Sequence, residues 1–256
     1  MQGRGMVLEK FRLDGKIALV TGGTKGLGRA IAVALAEAGA DIAVASRYPN
    51  EETAQDILSL GRRYFHHPVD LTIREQTRNV IGATLKEMGG LDILVNNSGI
   101  ARKGSAIDFS EENWDATLEI NLTAPFLLSQ AAARVMLKKG KGKIINIASV
   151  LSFRGGNNPG YPASKHGIVG LTRTLANNWA DKGINVNAIA PGWFATEMNA
   201  DIRREPVRRE SISLRIPAGR WGALPDIAGA VVFLASSASD FVHGETLMVD
   251  GGWMIR

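Results

Sequence analysis

The chain has 256 residues, 45% hydrophobic and 21% charged, with no cysteine and a net charge of +5 from 30 Lys and Arg against 25 Asp and Glu. That composition excludes a disordered or fibrous chain and gives one domain, 1–256, room for a sizeable core; the missing cysteine excludes a disulfide framework and a thiolate nucleophile, and no metal site is expected. No apolar stretch approaches the roughly 18 residues of a membrane span, and residues 1–11 lack a signal peptide's apolar core, so a cytoplasmic protein with a flexible arm over 1–11 is expected.

From Lys16 onward, short β-rich runs alternate with helix-period segments. The first predicted strand, Lys16 to Val20, runs into Thr21-Gly22-Gly23-Thr24-Lys25-Gly26-Leu27-Gly28 and then a helix over Arg29 to Ala38. The spacing is Gly-x-x-x-Gly-x-Gly. Glycines there let the turn tighten and the backbone approach a pyrophosphate, which the helix N-terminus favours. The second strand, Asp41 to Ser46, ends at Ser46-Arg47 with no acid to accept from a ribose 2′-hydroxyl. Unless Arg47 is merely an exposed loop residue, its guanidinium suits a 2′-phosphate that Lys25 also reaches, so NADP(H) is expected over NAD(H).

The third strand, Tyr64 to Val69, leads to Asp70-Leu71, with Thr72 and Glu75 marking a helix start. Asp70 serves the adenine and ribose side, the helix entry, or both. After the fourth strand, Leu91 to Val95, come Asn96-Asn97-Ser98-Gly99, expected on the same side. Asn121 interrupts a long helix where propensity prefers Ala or Leu; it is otherwise an ordinary packing residue. Lys138, Lys139, Lys141 and Lys143 follow that helix, where cations suit the negative end of its dipole and stay solvated.

Ser149 follows the fifth strand, Lys143 to Ala148. Of the three tyrosines only Tyr161 has a lysine four residues later, Lys165, and Pro162 suits a first helical position. The two side chains then share one helical face, where an ammonium lowers the phenol pKa from its ordinary value of about 10. Alone, the pair is equally a partly buried Tyr beside a surface Lys. After the sixth strand, Asn185 to Ala190, comes Pro191-Gly192 and then a strandless segment over 193–217, read as a small helical substrate lid. Its Trp193, Phe194 and Met198 suit a carbon skeleton; Arg154, Arg204 or Arg208 suits an anion. Arg203, Arg204, Arg208 and Arg209 alternate with Glu205 and Glu210, as on a solvated helix. Pro225 opens another helix, and Glu245 to Val249 is the seventh strand.

Strand and helix in this alternation predict a doubly wound α/β sheet of seven parallel strands with helices on both faces. Ligands of such sheets lie beyond the strands' C-terminal ends, where strand order reverses. The motifs, in order and spacing, resemble the short-chain dehydrogenase/reductase family from about Leu13 to Trp253. The glycine loop, Asp70, Asn96 to Gly99 (with Ser98 where alanine is usual), Asn121, Ser149, Tyr161, Lys165, Pro191-Gly192 and Thr196 carry that resemblance.

The resemblance implies a Rossmann-type sheet and an NAD(P)-dependent oxidoreductase that interconverts a secondary alcohol and a ketone. Tyr161 would exchange the proton as hydride passes to or from the nicotinamide. Lys165 would lower the Tyr161 pKa and bind the ribose, Ser149 would orient substrate, and Asn121 would support a proton relay. Pro191, Gly192, Phe194 and Thr196 would seat the cofactor's nicotinamide end and phosphates. A homotetramer is implied, through Glu112 to Lys138, Pro162 to Lys182 and Val249 to Arg256. Ile144 to Gly156, Arg215 to Gly222 and Phe233 to Trp253 are similar to the family's sugar-acid group, which includes gluconate 5-dehydrogenases, 2-deoxy-gluconate 3-dehydrogenases and 2-dehydro-3-deoxy-gluconate 5-dehydrogenases. Arg102 is the first choice for the substrate carboxylate, with Leu151, Arg154, Trp193 and Met198 as further substrate contacts. The alternatives are a 3-oxoacyl-thioester or general ketone reductase, or a cofactor-sensing protein without turnover. The basic balance raises nucleic acid as a partner, but no interleaved aromatic and basic motif supports it, so neither nucleic acid nor membrane is expected.

Overall fold

The computed structural model describes residues 6–256; residues 1–5 of the expected N-terminal arm lie outside the described residues. The rest of that stretch is not free. Val7–Phe11 forms a 3₁₀ turn, the Phe11 ring lies 6.3 Å from that of Phe233, and the Ser237 hydroxyl donates to the Lys10 carbonyl.

In chain order the elements are β1 (Ile17–Thr21), α1 (Gly26–Glu37), β2 (Asp41–Ser46), α2 (Glu51–Ser59), β3 (Tyr64–Pro68), α3 (Arg74–Met88) and β4 (Ile93–Asn96). Then follow α4 (Glu111–Leu118), α5 (Ala124–Lys139), β5 (Gly142–Ile147), α6 (Gly160–Trp179), β6 (Ile184–Pro191), α7 (Ala200–Arg204), α8 (Pro206–Arg215), α9 (Ala228–Ala235) and β7 (Thr246–Val249). All seven predicted strands are present, the second with its predicted bounds and the others with ends shifted by one or two residues. They form one parallel sheet in the order β3-β2-β1-β4-β5-β6-β7. Strand order reverses at β1, which pairs with both β2 and β4.

The strands read as near-continuous apolar runs because both faces are covered. On β1, Ala18 and Val20 join Ile31 and Leu35 of α1 and Val231 and Leu234 of α9 on one face. Leu19, one residue out of phase, joins Val80 of α3, Leu128 and Met136 of α5 and Leu175 of α6 on the other.

Two local expectations fail. Lys143 is not solvated: it lies inside β5, almost wholly buried, and its ammonium donates to Asp240 Oδ1 at 2.7 Å and to the Ser239 hydroxyl. Burial lowers its pKa and the Asp240 carboxylate offsets that; the partner 97 residues away makes a buried charge tolerable. Thr72 does not cap α3, which begins at Arg74 with Ile73 before it. Instead the Thr72 backbone N–H and hydroxyl both donate to Asp70 Oδ1, an Asx turn that competes with capping.

Candidate active site

The C-terminal ends of β1, β2, β4, β5 and β6 open into one cleft of about 530 Å³, within the range of small-molecule sites. Its first wall is the glycine loop. Lys25 precedes α1 in an extended conformation, and Gly26 takes φ +54°, a left-handed geometry that glycine adopts without strain. A Cβ on Gly28 would sit 2.1 Å from the Gly22 carbonyl oxygen, so helix and loop touch backbone to backbone. The β4 end is sewn to this loop. Asn97 Nδ2 donates to the Thr21 carbonyl at 2.8 Å, and the Asn97 and Ser98 backbone N–H groups donate to the Thr21 hydroxyl. Asn96, read with its neighbours as facing the cofactor, turns into the core instead, donating to Ser129 and to Asn146 Oδ1.

On the β2 side, the Ser46 hydroxyl donates to the Tyr48 carbonyl at 2.9 Å and stands 3.0 Å from His66 Nε2. Arg47 makes no ion pair among the described residues; its guanidinium lies 6.0 Å from the Tyr48 ring centroid and contributes to holding the Asp70 carboxyl below its ordinary pKa, after the Thr72 hydrogen bonds. Lys25, by contrast, pairs with Glu197 Oε2 at 2.7 Å across the mouth of the cleft.

The far end belongs to β5 and α6. Ser149 continues from β5 in extended conformation; its hydroxyl accepts from the Leu151 N–H, and its own N–H donates to the Ser152 hydroxyl. Tyr161 and Lys165 face one side of α6's first turns, with Lys165 Nζ 5.6 Å from the Tyr161 ring centroid. The Lys165 ammonium donates to the Ile147 carbonyl. Burial dominates both groups: it pushes the Tyr161 phenol up, against the Ser149 hydroxyl pulling it down, and it brings Lys165 down to about 8. The Ser149 hydroxyl is the hydrogen-bond partner that lowers the Tyr161 pKa against burial, and the Lys165 ammonium, 5.6 Å from the ring centroid, favours the phenolate while it is protonated.

Asn121 lies within a single π turn, Glu119–Thr123, of the kind that frequently marks functional sites. Its amide donates to the Ile100 carbonyl and the Ser164 hydroxyl, and its oxygen accepts from the Ile100 N–H. It is buried and ties the loop after β4 to α6. α6 is also held from below, where Asn96 Nδ2 donates to Asn146 Oδ1 and Asn146 Nδ2 to the Thr172 hydroxyl.

The expected residues Gly22, Thr24, Lys25, Gly26, Leu27, Gly28, Ser46, Arg47, Asp70, Leu71, Asn97, Ser98, Gly99, Ser149, Tyr161, Lys165, Pro191, Gly192, Phe194, Thr196 and Met198 all line this cleft. Arg102, Asn121, Leu151, Arg154 and Trp193 do not. Arg102 is exposed. Trp193 packs edge-on against Trp221 and Trp253 at 5.3 and 5.8 Å, and Arg154 stands 5.8 Å from the Trp253 ring. The lid segment consists of a 3₁₀ turn, Glu197–Asn199, with α7 and α8. Sequence reasoning missed Tyr48, Asn50, Ile100, Ile120, Glu197 and Asn199 as cleft residues. Tyr48, Asn50 and Ile100 follow closely on the strand ends β2 and β4, a positional signal that was there to use.

Two glycines of the cleft wall pack directly against its polar side chains. A Cβ at Gly99 would lie 3.3 Å from Asn121 Oδ1 and 3.7 Å from Lys165 Nζ, and one at Gly22 would lie 2.9 Å from the Ser98 hydroxyl. The open glycine loop at one end, the unpaired Arg47 beside it and the Ser149, Tyr161 and Lys165 group at the other suit a long, anionic, two-ended ligand. Among the described residues, no cluster of acids and histidines could hold a metal, and no helix is long and apolar enough to cross a membrane.

A family model described as enoyl-(acyl carrier protein) reductase matches residues 22–254. The chain is 49% identical over 253 residues to a 2-dehydro-3-deoxy-D-gluconate 5-dehydrogenase of Dickeya dadantii, covering 98% of this chain and all of the relative. It is 51% identical over 254 residues to the enzyme of that name from Bacillus subtilis, with 98% and 100% covered. Among solved structures, a gluconate 5-dehydrogenase from Burkholderia cenocepacia in complex with NADP and tartrate superposes with a TM-score of 0.92 at 41% identity, over 98% of this chain and 100% of that one.

Proposed function

The chain belongs to the short-chain dehydrogenase/reductase family of oxidoreductases, and on that premise we propose that it interconverts a secondary alcohol and a ketone on a sugar acid, such as a gluconate or a deoxy- or keto-gluconate, with NADP(H) preferred over NAD(H). The observation that carries the reading is one cleft with the glycine loop and Arg47 at one end and Ser149, Tyr161 and Lys165 at the other. The sugar-acid class rests on similarity along the full chain to relatives bearing such names.

Bound in this cleft, the nicotinamide cofactor supplies or takes the hydride. The chain does the rest. The glycine loop and the start of α1 present backbone N–H groups to a pyrophosphate. Arg47 offers a planar fork to a 2′-phosphate, and Asp70, Asn97, Ser98 and Gly99 border the adenosine half. Ser149 holds the substrate oxygen beside the Tyr161 phenol, which donates its proton to that oxygen in reduction and takes it back in oxidation. Lys165 reaches the ribose and, while protonated, favours the phenolate. Asn121 fixes the loop after β4 to α6 and so keeps the Tyr161 helix in register. Met198 closes the cleft from the lid. Arg102, exposed two residues after the cleft residue Ile100, and Arg154, at the edge of the Trp253 cluster, are the candidates for the substrate carboxylate.

A homotetramer belongs to this reading. Trp114, Phe126 and Leu137 expose apolar surface on α4 and α5, and Phe241 and Ile255 do so near the C-terminus, which leaves apolar side chains for subunit contacts on the expected segments.

A spectrophotometric screen at 340 nm, with NADPH and NADH over keto-sugar acids, neutral ketones and 3-oxoacyl thioesters, tests the reading. Turnover is expected highest for a keto-sugar acid with NADPH, and Arg102→Ala should raise KM for the acid with little change in kcat. Faster reduction of a 3-oxoacyl thioester, or no turnover with any substrate, would overturn it.

A further inference from the structure

Two acids of the lid segment meet lysines on facing walls. Glu197 Oε2 lies 2.7 Å from Lys25 Nζ, and Asp201 Oδ2 lies 2.6 Å from Lys103 Nζ. Only the first pair lines the cofactor cleft. Lys25 stands in the glycine loop, on the route from α1 to Arg47, and Glu197 enters from the opposite side, 172 residues later.

Lys25 therefore has two claims on its ammonium. In the reading above it reaches a 2′-phosphate alongside Arg47. In this structure it is committed to a carboxylate, which holds the Glu197 carboxyl below its ordinary pKa. A carboxylate at that distance cancels much of the positive potential a phosphate would meet, and its own charge repels the incoming dianion. A dinucleotide with a free 2′-hydroxyl meets neither effect and leaves the pair intact.

We propose that Glu197 is a specificity-determining residue: by competing for Lys25 it holds selectivity for NADP(H) over NAD(H) below what Arg47 and Lys25 alone would give. The inference rests on the reading that the 2′-phosphate sits at Arg47 and Lys25. The second lid pair, Lys103 with Asp201, supplies an internal comparison, since it anchors the same segment away from the cleft. Because the Lys25 and Glu197 side chains are 74% and 75% exposed, water and salt screen the competition and its effect is small.

Dissociation constants for NADPH and NADH, measured by quenching of intrinsic tryptophan fluorescence, test this in the whole enzyme and in Glu197→Gln, Lys25→Ala, the double variant and Asp201→Asn. Glu197→Gln should tighten NADPH about two- to fivefold, within the range of an exposed ion pair, and change NADH much less. In the Lys25→Ala background the same substitution should have almost no effect on NADPH, and Asp201→Asn should leave the NADPH-to-NADH ratio where it was. Equal changes for both cofactors on Glu197→Gln, or a gain that persists without Lys25, would mean a general lid effect and overturn the inference. Arg47→Ala separates the two failures. An unchanged NADPH-to-NADH ratio in that variant overturns the reading and the inference together, whereas a lost ratio with no Lys25–Glu197 coupling overturns the inference alone.

Discussion

The Tyr161 and Lys165 pair sets what the chemistry requires of pH. Burial raises the phenol above its ordinary value, so at neutrality it is protonated and ready to donate, which suits reduction. Reduction should be level through neutral pH and fall on the alkaline side as the phenol loses its proton; oxidation, which needs the phenolate, should rise with pH. Lys165, brought to about 8, carries its charge at neutrality and loses it above that value. Removing the cation in Lys165→Met disfavours the phenolate, so the alkaline limb of kcat/KM for reduction should move to higher pH and oxidation at neutral pH should slow. A limb that moves to lower pH contradicts the assignment. The four-residue spacing was legible because a helix puts i and i+4 on one face whatever surrounds it. What burial does to the two groups was not, nor was Lys143's partner Asp240 at long range, nor the direction of the loop residues Arg102 and Arg154, since none of these is a local property.

At the scale of elements, the contact between α1 and the glycine loop carries the cofactor end. Gly28→Ala drives a methyl group into the Gly22 carbonyl, and relief requires α1 to move off the loop. Overpacking of this kind costs about 1–3 kcal/mol, so NADPH affinity should weaken by roughly tenfold, equivalent to about 1.4 kcal/mol, with a lower Tm. Unchanged affinity by titration would show that the loop does not hold the cofactor. The chemical end depends on α6 being held from beneath. Thr172→Val leaves the buried Asn146 amide without its acceptor, at a cost of about 1–3 kcal/mol, visible as a lower midpoint in urea. A midpoint equal to the parent's would mean that the Asn96, Asn146 and Thr172 chain does not secure the helix. The glycine loop could be read from the sequence because its glycines answer to a local backbone need. The Asn96 chain could not, because polar residues in an apolar strand reveal a partner only once the strands and helix are assembled.

For the whole molecule, alternation of strand and helix sufficed to predict the parallel sheet, and the position of the motifs after the strands located the cleft, because right-handed crossovers leave few other arrangements. Side-chain occupancy of the lid was less legible: Trp193 was expected on substrate and instead completes an aromatic cluster with Trp221 and Trp253. The proposed homotetramer is checked by sedimentation, and charged substitution of Phe126, exposed on α5, should shift it to smaller species; a parent that sediments as a monomer would contradict that assembly. The central claim is that one cleft joins nicotinamide cofactor, substrate and the Tyr161 proton. Its most direct test is the rate of NADPH oxidation at 340 nm with a keto-sugar acid, for the parent and Tyr161→Phe, alongside the NADPH dissociation constant of each. The account predicts that Tyr161→Phe binds NADPH within about twofold of the parent and loses about 10²–10⁴ in rate. A variant that keeps the cofactor and more than about a tenth of the parent's rate, less than the loss of a general acid entails, would contradict it.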